Sequence, residues 1–170
     1  GGKTAIDLSA GKNLAGAFMQ PSAVICDTNC LKTLPQDVFA DGAAEALKTG
    51  VLCSEALFAR MEFGLRVSEL EEIIAQCVAF KAGVVERDEK EQGERKLLNL
   101  GHTIGHAIEK CSGFTIPHGH AVAAGLAIMT RAAENLGWMT GESKRALEAE
   151  RIESAVETRG LPSAAEYPPA

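Results

Sequence analysis

From Pro35 to about residue 159 the apolar residues of this chain recur every three or four positions, a period that fits packed α-helices and not a sheet. PQDVFADGAAEALKTGVL (35–52) opens the pattern. Pro35 suits a first helical turn, and Leu47, Val51 and Leu52 continue one face. SEALFARMEFGL (54–65) reads as a second helix. SELEEIIAQCVAFKAGVVERD (68–88) reads as a third, long and amphipathic, with Ser68 and Glu71 at capping-box spacing. A charged connector, EKEQGERK (89–96), leads to a helix expected over about 97–111. The loop SGFTIPHG (112–119) feeds HAVAAGLAIMTRAAENLG (120–137), which is apolar on most faces and so expected to be buried. A last helix is expected over about 142–159, stopped by Gly160 with Pro162 beyond it. The expected fold class is mainly α.

Residues 1–35 are different. TAIDL (4–8) and SAVICD (22–27) are short apolar segments separated by Gly, Lys, Asn and Pro, and both read as strands or strand ends with loops between them. No linker interrupts the helical part. The expected division is therefore 1–35, a small β or α/β remnant, and 36–170, one helical unit. The chain begins GGKTAIDL without a methionine and stops at EYPPA, which reads as a piece of a longer polypeptide.

The net charge of −6 argues against nucleic acid or an anionic membrane as the main partner, since both call for a basic surface. No apolar run approaches the roughly 18 residues of a membrane span. The five cysteines (Cys26, Cys30, Cys53, Cys77 and Cys111) are odd in number and form no CxxC pair. They read as reduced, buried thiols rather than a metal site or a disulfide framework.

The four histidines, His102, His106, His118 and His120, fall within 19 residues. His102 and His106 stand at i and i+4, on one face of a helix, as two metal-binding imidazoles often do. The HExxH glutamate is absent, and the spacing alone also fits ordinary surface or core histidines. Arg95, Asn99, His102 and His106 share that face if the helix extends back to residue 95. A plain solvent face would more often carry Glu and Lys, whereas Arg, Asn and two His suit anion binding and proton transfer. His118, in IPHGHAVAAG, sits where a helix begins, near free backbone N–H groups and the positive end of the helix dipole. A loop histidine at a cap fits equally well there.

Glu45 and Lys48 lie among small apolar residues in DGAAEALKTG, which fits either a metal ligand with a neighbouring cation or a surface ion pair. Lys3 and Asn13 stand near glycines in GGKTAIDL and SAGKNLAGAF, a weak anion-site signal with neither GxxxxGK[ST] nor GxGxxG present. Lys81 lies before the charged connector and Arg95 near its end, where surface pairing is the plain alternative. One Glu with two or three His matches the three N/O ligands and open position of catalytic zinc. Nearby Lys, Arg and Asn would clamp an anion. The residues thus indicate a zinc site beside an anion pocket and leave the reaction open.

At this point the chain resembles the 3-dehydroquinate synthase family. The matching segments are GGKTAIDLSAGKNLAGAF, DGAAEALKTG, FKAGVVERDEKEQGERKLLNLGHTIGHAIE and IPHGHAVAAG, in the family's order and across nearly the whole chain. LNLGHTIGHAIE followed by PHG is the most specific of them. The resemblance implies the helical C-terminal domain of a two-domain α/β enzyme that uses NAD and one divalent metal, zinc or cobalt. It implies conversion of 3-deoxy-D-arabino-heptulosonate 7-phosphate to 3-dehydroquinate with loss of phosphate, in the shikimate pathway. By motif match the metal ligands are Glu45, His102 and His118. His106 is the acid/base group, Lys48 acts beside Glu45, and Lys3, Asn13, Lys48, Lys81, Arg95 and Asn99 hold substrate.

The resemblance further implies a cytoplasmic homodimer with a small sugar-phosphate substrate and with neither nucleic acid nor membrane as partner. His120 stands where the family usually has Glu, a change that alters the charge near the metal or adds a competing ligand. Without the nucleotide-binding domain and the C-terminal segment, this chain alone is expected to be inactive. The competing readings are a sister sugar-phosphate cyclase, a metal-dependent alcohol or glycerol dehydrogenase relative, and a helical interaction domain with incidental histidines.

Overall fold

A computed structural model describes residues 2–62, 65–139 and 149–157. The helical expectation holds. Among the described residues six α-helices follow a small hairpin: α1 (Gln36–Cys53), α2 (Glu55–Glu62), α3 (Leu70–Arg87), α4 (His102–Cys111), α5 (His118–Asn135) and α6 (Ala149–Glu157). Among the described residues no helix is long and apolar enough to cross a membrane.

The hairpin pairs β1 (Lys3–Leu8) antiparallel with β2 (Gly11–Phe18), Lys3 facing Phe18. Residues 22–27 make no strand, contrary to their sequence pattern. A strand needs a neighbour to take its backbone hydrogen bonds, and among the described residues the sheet has only β1 and β2. Val24 and Ile25 are left exposed. Asp27 instead caps a 3-10 turn (Thr28–Thr33), accepting from the Asn29 backbone N–H.

The core forms where α1, α2, α5 and α6 converge on Leu47, Leu57, Phe58, Met61, Leu126, Ile152 and Val156, with Ile73 added from α3. Helix α5 is buried through Ala121, Val122, Ala123, Ala124, Gly125, Leu126 and Ala127, as its continuous apolarity predicts. Its small side chains let α1 and α4 pack close on two sides, which sets the geometry of the site.

Three local expectations change. The Ser68–Glu71 capping box does not form: a 3-10 turn (Val67–Glu69) precedes α3, and the Glu71 carboxylate accepts from the Thr28 hydroxyl at 3.2 Å. The helix expected over 97–111 is broken in two. A 3-10 turn (Glu94–Asn99) carries Arg95 and Asn99, and α4 starts only at His102. The break lies at Gly101, whose φ of 78° is left-handed and whose added Cβ would meet the Val122 carbonyl oxygen at 2.8 Å. Helix α5 begins at His118, so this histidine opens the helix rather than sitting in the loop before it.

The cysteines are all free, but Cys26, Cys30, Cys53 and Cys111 are exposed and only Cys77 is partly buried, correcting the buried reading. Of the helix expected over 142–159, α6 is the described part; Gly160 and Pro162 lie outside the described residues.

Candidate functional site

Three helices each deliver one side chain to a common point. Glu45 projects from the middle of α1, His102 is the first residue of α4 and His118 the first of α5. Their ligating atoms all lie within 4.8 Å of one another. Glu45 Oε1 is 3.5 Å from His102 Nε2 and 3.4 Å from His118 Nε2. That oxygen is buried and has no hydrogen-bond partner. Leaving a buried carboxylate oxygen so costs about 1–3 kcal/mol or more; a cation between it and the two imidazoles would satisfy it. One carboxylate oxygen and two imidazole nitrogens suit zinc or cobalt, with a coordination position left for substrate.

The ring orientations agree with this. His102 Nδ1 lies 3.2 Å from the Leu100 carbonyl oxygen. A carbonyl can only accept, so the proton sits on Nδ1 and the Nε2 lone pair faces Glu45. Burial, then the charge of Lys48, lowers the His102 pKa and favours its neutral form. Burial pushes the Glu45 carboxyl up, but His118, Lys48 and His102 outweigh it and bring the pKa down to about 2. The Glu45 carboxylate raises His118, against burial and together with Glu109.

A cavity of about 320 Å³ opens beside this point, lined by Lys3, Lys48, Lys81 and Arg95 together with Glu91, Asn99 and the three candidate ligands. Lys48 and Arg95 are only 5% and 4% exposed. Lys48 Nζ donates to Glu45 Oε2 at 2.7 Å, one helical turn away, so the pair is a built element of the pocket and not a solvated surface bridge. Burial, then the charges of Arg95 and Lys81, lowers the Lys3 pKa.

The loop after α3 sets the far wall. Asp88 accepts from the backbone N–H groups of Gln92 (2.8 Å), Gly93 (2.7 Å) and Arg95 (3.0 Å). Arg95 Nη1 donates to the Glu89 carbonyl at 2.6 Å, which fixes its guanidinium. Within this loop Glu91 has a positive φ of 58°, a conformation uncommon for a residue with a side chain. Its carboxylate pairs with Lys3 and accepts from Asn99 Nδ2 at 2.6 Å.

Of the sequence-predicted site residues, Lys3, Glu45, Lys48, Lys81, Arg95, Asn99, His102 and His118 come together here. The broken helix still puts Arg95 and Asn99 beside His102, because the turn at Gly101 redirects the chain. His106 stands at the rim, 62% exposed, its ring centroid 5.4 Å from His102 and 5.8 Å from His118. Asn13 falls on β2, and its side chain lies outside the described residues.

His120 turns away from the candidate ligands: its backbone N and its Nδ1 are each 2.9 Å from Asp41 Oδ1. Sequence reasoning missed Asp41, Glu91 and Glu109. Glu91 looks like one more charge in a charged connector, and its only signal is its position four residues before Arg95. Asp41 and Glu109 lie one turn from Glu45 and His106, the one signal that marks them.

Comparisons with known proteins add to this geometry. Residues 42–168 match the protein-family model described as 3-dehydroquinate synthase C-terminal, and residues 1–41 match 3-dehydroquinate synthase N-terminal. The 3-dehydroquinate synthase of Pseudoalteromonas atlantica is 44% identical across 100% of this chain and 48% of its own length. That of Vibrio atlanticus is 46% identical across 95% of this chain and 45% of its length. The chain thus spans just under half of these relatives. Among solved structures, a 2-deoxy-scyllo-inosose synthase superposes over 95% of this chain and 47% of its own, with a TM-score of 0.75 and 26% identity. Another structure of a 2-deoxy-scyllo-inosose synthase, also at TM-score 0.75 and 26% identity over 94% of this chain and 44% of its own, is a complex with carbaglucose-6-phosphate, NAD+ and Co2+.

Proposed function

This chain belongs to the 3-dehydroquinate synthase family, and on that premise we propose that it forms the metal- and substrate-binding half of a 3-dehydroquinate synthase. The reaction proposed is conversion of 3-deoxy-D-arabino-heptulosonate 7-phosphate to 3-dehydroquinate plus phosphate. The observation that carries the proposal is the buried, partnerless Glu45 Oε1 facing two imidazole nitrogens at the edge of a cavity with four cationic side chains. Residues 36–170 make up the helical domain, and residues 1–35 close the nucleotide-binding domain that holds NAD.

Glu45, His102 and His118 would hold the divalent metal. When bound, it acts as a Lewis acid that lowers the cost of deprotonating a substrate hydroxyl, while NAD supplies the hydride chemistry. The remaining work falls to this chain's side chains. Lys3, Lys81 and Arg95 offer positive charge to a substrate bearing both a phosphate and a carboxylate. Arg95 is anchored in place before substrate arrives, so less entropy is lost on binding. Lys48 steadies Glu45 through its hydrogen bond and adds charge at the point where substrate oxygens meet the metal site.

Glu91 holds Lys3 and Asn99 on the pocket wall. His106, at the exposed rim beside His102 and His118, is placed to pass a proton between the reacting end of the substrate and solvent.

A sister sugar-phosphate cyclase is the second reading, favoured by the superposition on 2-deoxy-scyllo-inosose synthase. Arg95, Lys81 and Asn99 argue against it, because together on the pocket wall they suit a second anionic group, which a substrate lacking a carboxylate would not supply. The deciding experiment assays phosphate release by the protein carrying this chain, with NAD and zinc or cobalt, across ketose phosphates with and without a carboxylate. Turnover confined to the carboxylate-bearing substrate is expected. Turnover of a neutral-ended sugar phosphate instead would select the sister reaction.

A further inference from the structure

Glu109 is a carboxylate almost sealed from solvent, 3% exposed, in the last turn of α4. An ionised carboxylate is expensive to bury without a partner, and it faces His118: Glu109 Oε2 is 3.2 Å from His118 Nδ1. The same imidazole presents Nε2 to Glu45 Oε1 at 3.4 Å. The two nitrogens of one ring thus point at two carboxylates of different character. Glu45 has its inward oxygen unsatisfied; Glu109 is committed to His118, with His106 Nε2 farther off at 4.0 Å.

We propose that Glu109 is a positioning residue of the metal centre, holding the proton on His118 Nδ1 so that the Nε2 lone pair is aimed at the ion. The proposal rests on the metal-site reading above. A histidine ligand needs its proton on the nitrogen away from the metal, and a carboxylate accepting that proton also makes the ligand more basic. His102 achieves the same through the Leu100 carbonyl. For His118, the acceptor within reach of Nδ1 comes from another element. Helix α4 supplies it: His102, His106 and Glu109 follow at i, i+4 and i+7 along one face.

A rival arrangement exists, because His106, Glu109 and His118 are themselves close enough to bind an ion. In that arrangement His118 would ligate through Nδ1, and the buried Glu45 oxygen would remain unsatisfied. His106 is also largely exposed.

The test uses Co2+ alone, titrated into the metal-free protein by calorimetry and followed by the cobalt d–d spectrum. Glu109→Gln is compared with the unsubstituted protein, together with the thermal unfolding of both metal-free forms. Unchanged metal-free unfolding with roughly 10–100-fold weaker Co2+ binding is expected, the usual effect of losing such a partner. Equal affinities in both proteins would overturn the role of Glu109 while leaving the metal site standing. No Co2+ bound by the unsubstituted protein would overturn both readings. His106→Ala separates the rival site: retained Co2+ binding supports the proposal, and lost binding overturns it.

If Glu109→Gln fails to fold, 15N NMR of the unsubstituted protein loaded with Zn2+ decides, since a ligating ring nitrogen carries no proton. A His118 ring protonated on Nδ1 supports the proposal, and one protonated on Nε2 overturns it.

Discussion

Asp41 Oδ1 receives the His120 backbone N–H at 2.9 Å and lies 2.9 Å from His120 Nδ1, tying the start of α5 to α1. Asp41 stands one turn before Glu45, and His120 two residues after His118. The contact therefore fixes the distance between two candidate metal ligands carried on different helices. It also caps α5 in place of Pro117, which makes no side-chain capping bond. Loss of a cap costs roughly 1 kcal/mol, so Asp41→Ala is expected to lower the Tm by about 2–4 °C and to weaken metal binding as well. Asp41→Asn, which keeps an acceptor for the backbone N–H, should retain most of both. Thermal unfolding and Co2+ titration of the two variants check this; a destabilised Asp41→Ala with unaltered metal affinity would detach the cap from the site.

Gly119 sits under the same contact. A Cβ there would lie 2.0 Å from the Asp41 carbonyl oxygen, against rigid helix backbone. Gly119→Ala should push α5 off α1 and cost about 1–3 kcal/mol, as overpacking does. Gly42 lies next to Asp41 but has nothing within 4 Å of an added Cβ. Gly42→Ala is therefore expected to stabilise α1 by roughly 0.5–1 kcal/mol. Denaturant midpoints of the two variants should move in opposite directions.

How far the sequence reveals this site follows from what each residue's role depends on. The helices are legible because a 3.6-residue period needs only local sequence. Eight of the candidate pocket residues are legible because their motifs are contiguous. The break at Gly101 is not, since Leu97, Leu98 and Leu100 continue the apolar period straight through it. What ends the helix is a left-handed φ and the close approach of α5, and neither shows in a pattern. Residues 22–27 have strand composition, but composition says nothing about whether a neighbouring strand exists. Glu91, Asp41 and Glu109 were hidden for a related reason: each is a common surface residue whose work depends on what another element brings near it.

Asp88 carries the loop that places Arg95, and it does so through three backbone N–H groups. Those donors hold its carboxyl below its ordinary value of 3.8. A folded pKa below the unfolded one gives stability that is present above that value and lost as pH falls through the folded pKa. The stability advantage over Asp88→Asn should therefore be constant near neutrality and shrink only below about pH 4. Thermal unfolding of both proteins from pH 6 downward measures it. The variant should also raise KM for the proposed phosphorylated substrate by roughly tenfold, with metal content unchanged. A difference between the proteins that stays flat through the acid range would show that Asp88 does not carry the loop as a carboxylate.

The two histidines one turn apart on α4 are expected to fail in different ways. His102 is half-buried, its Nδ1 directed to Leu100 and its Nε2 facing Glu45, so His102→Ala removes one of the three proposed ligands. Bound metal should fall from about one equivalent to none, and turnover should fall with it. His106 is mostly exposed and lies outside the cavity lining, so His106→Ala should leave metal content intact and change stability by less than about 0.5 kcal/mol. If it moves the proton, kcat should still drop about 10²–10⁴-fold, with little change in KM. Elemental analysis beside steady-state kinetics separates the cases. Metal loss in His106→Ala would move that residue into the ligand set, and full activity without it would leave proton transfer to solvent or to another group on the pocket wall.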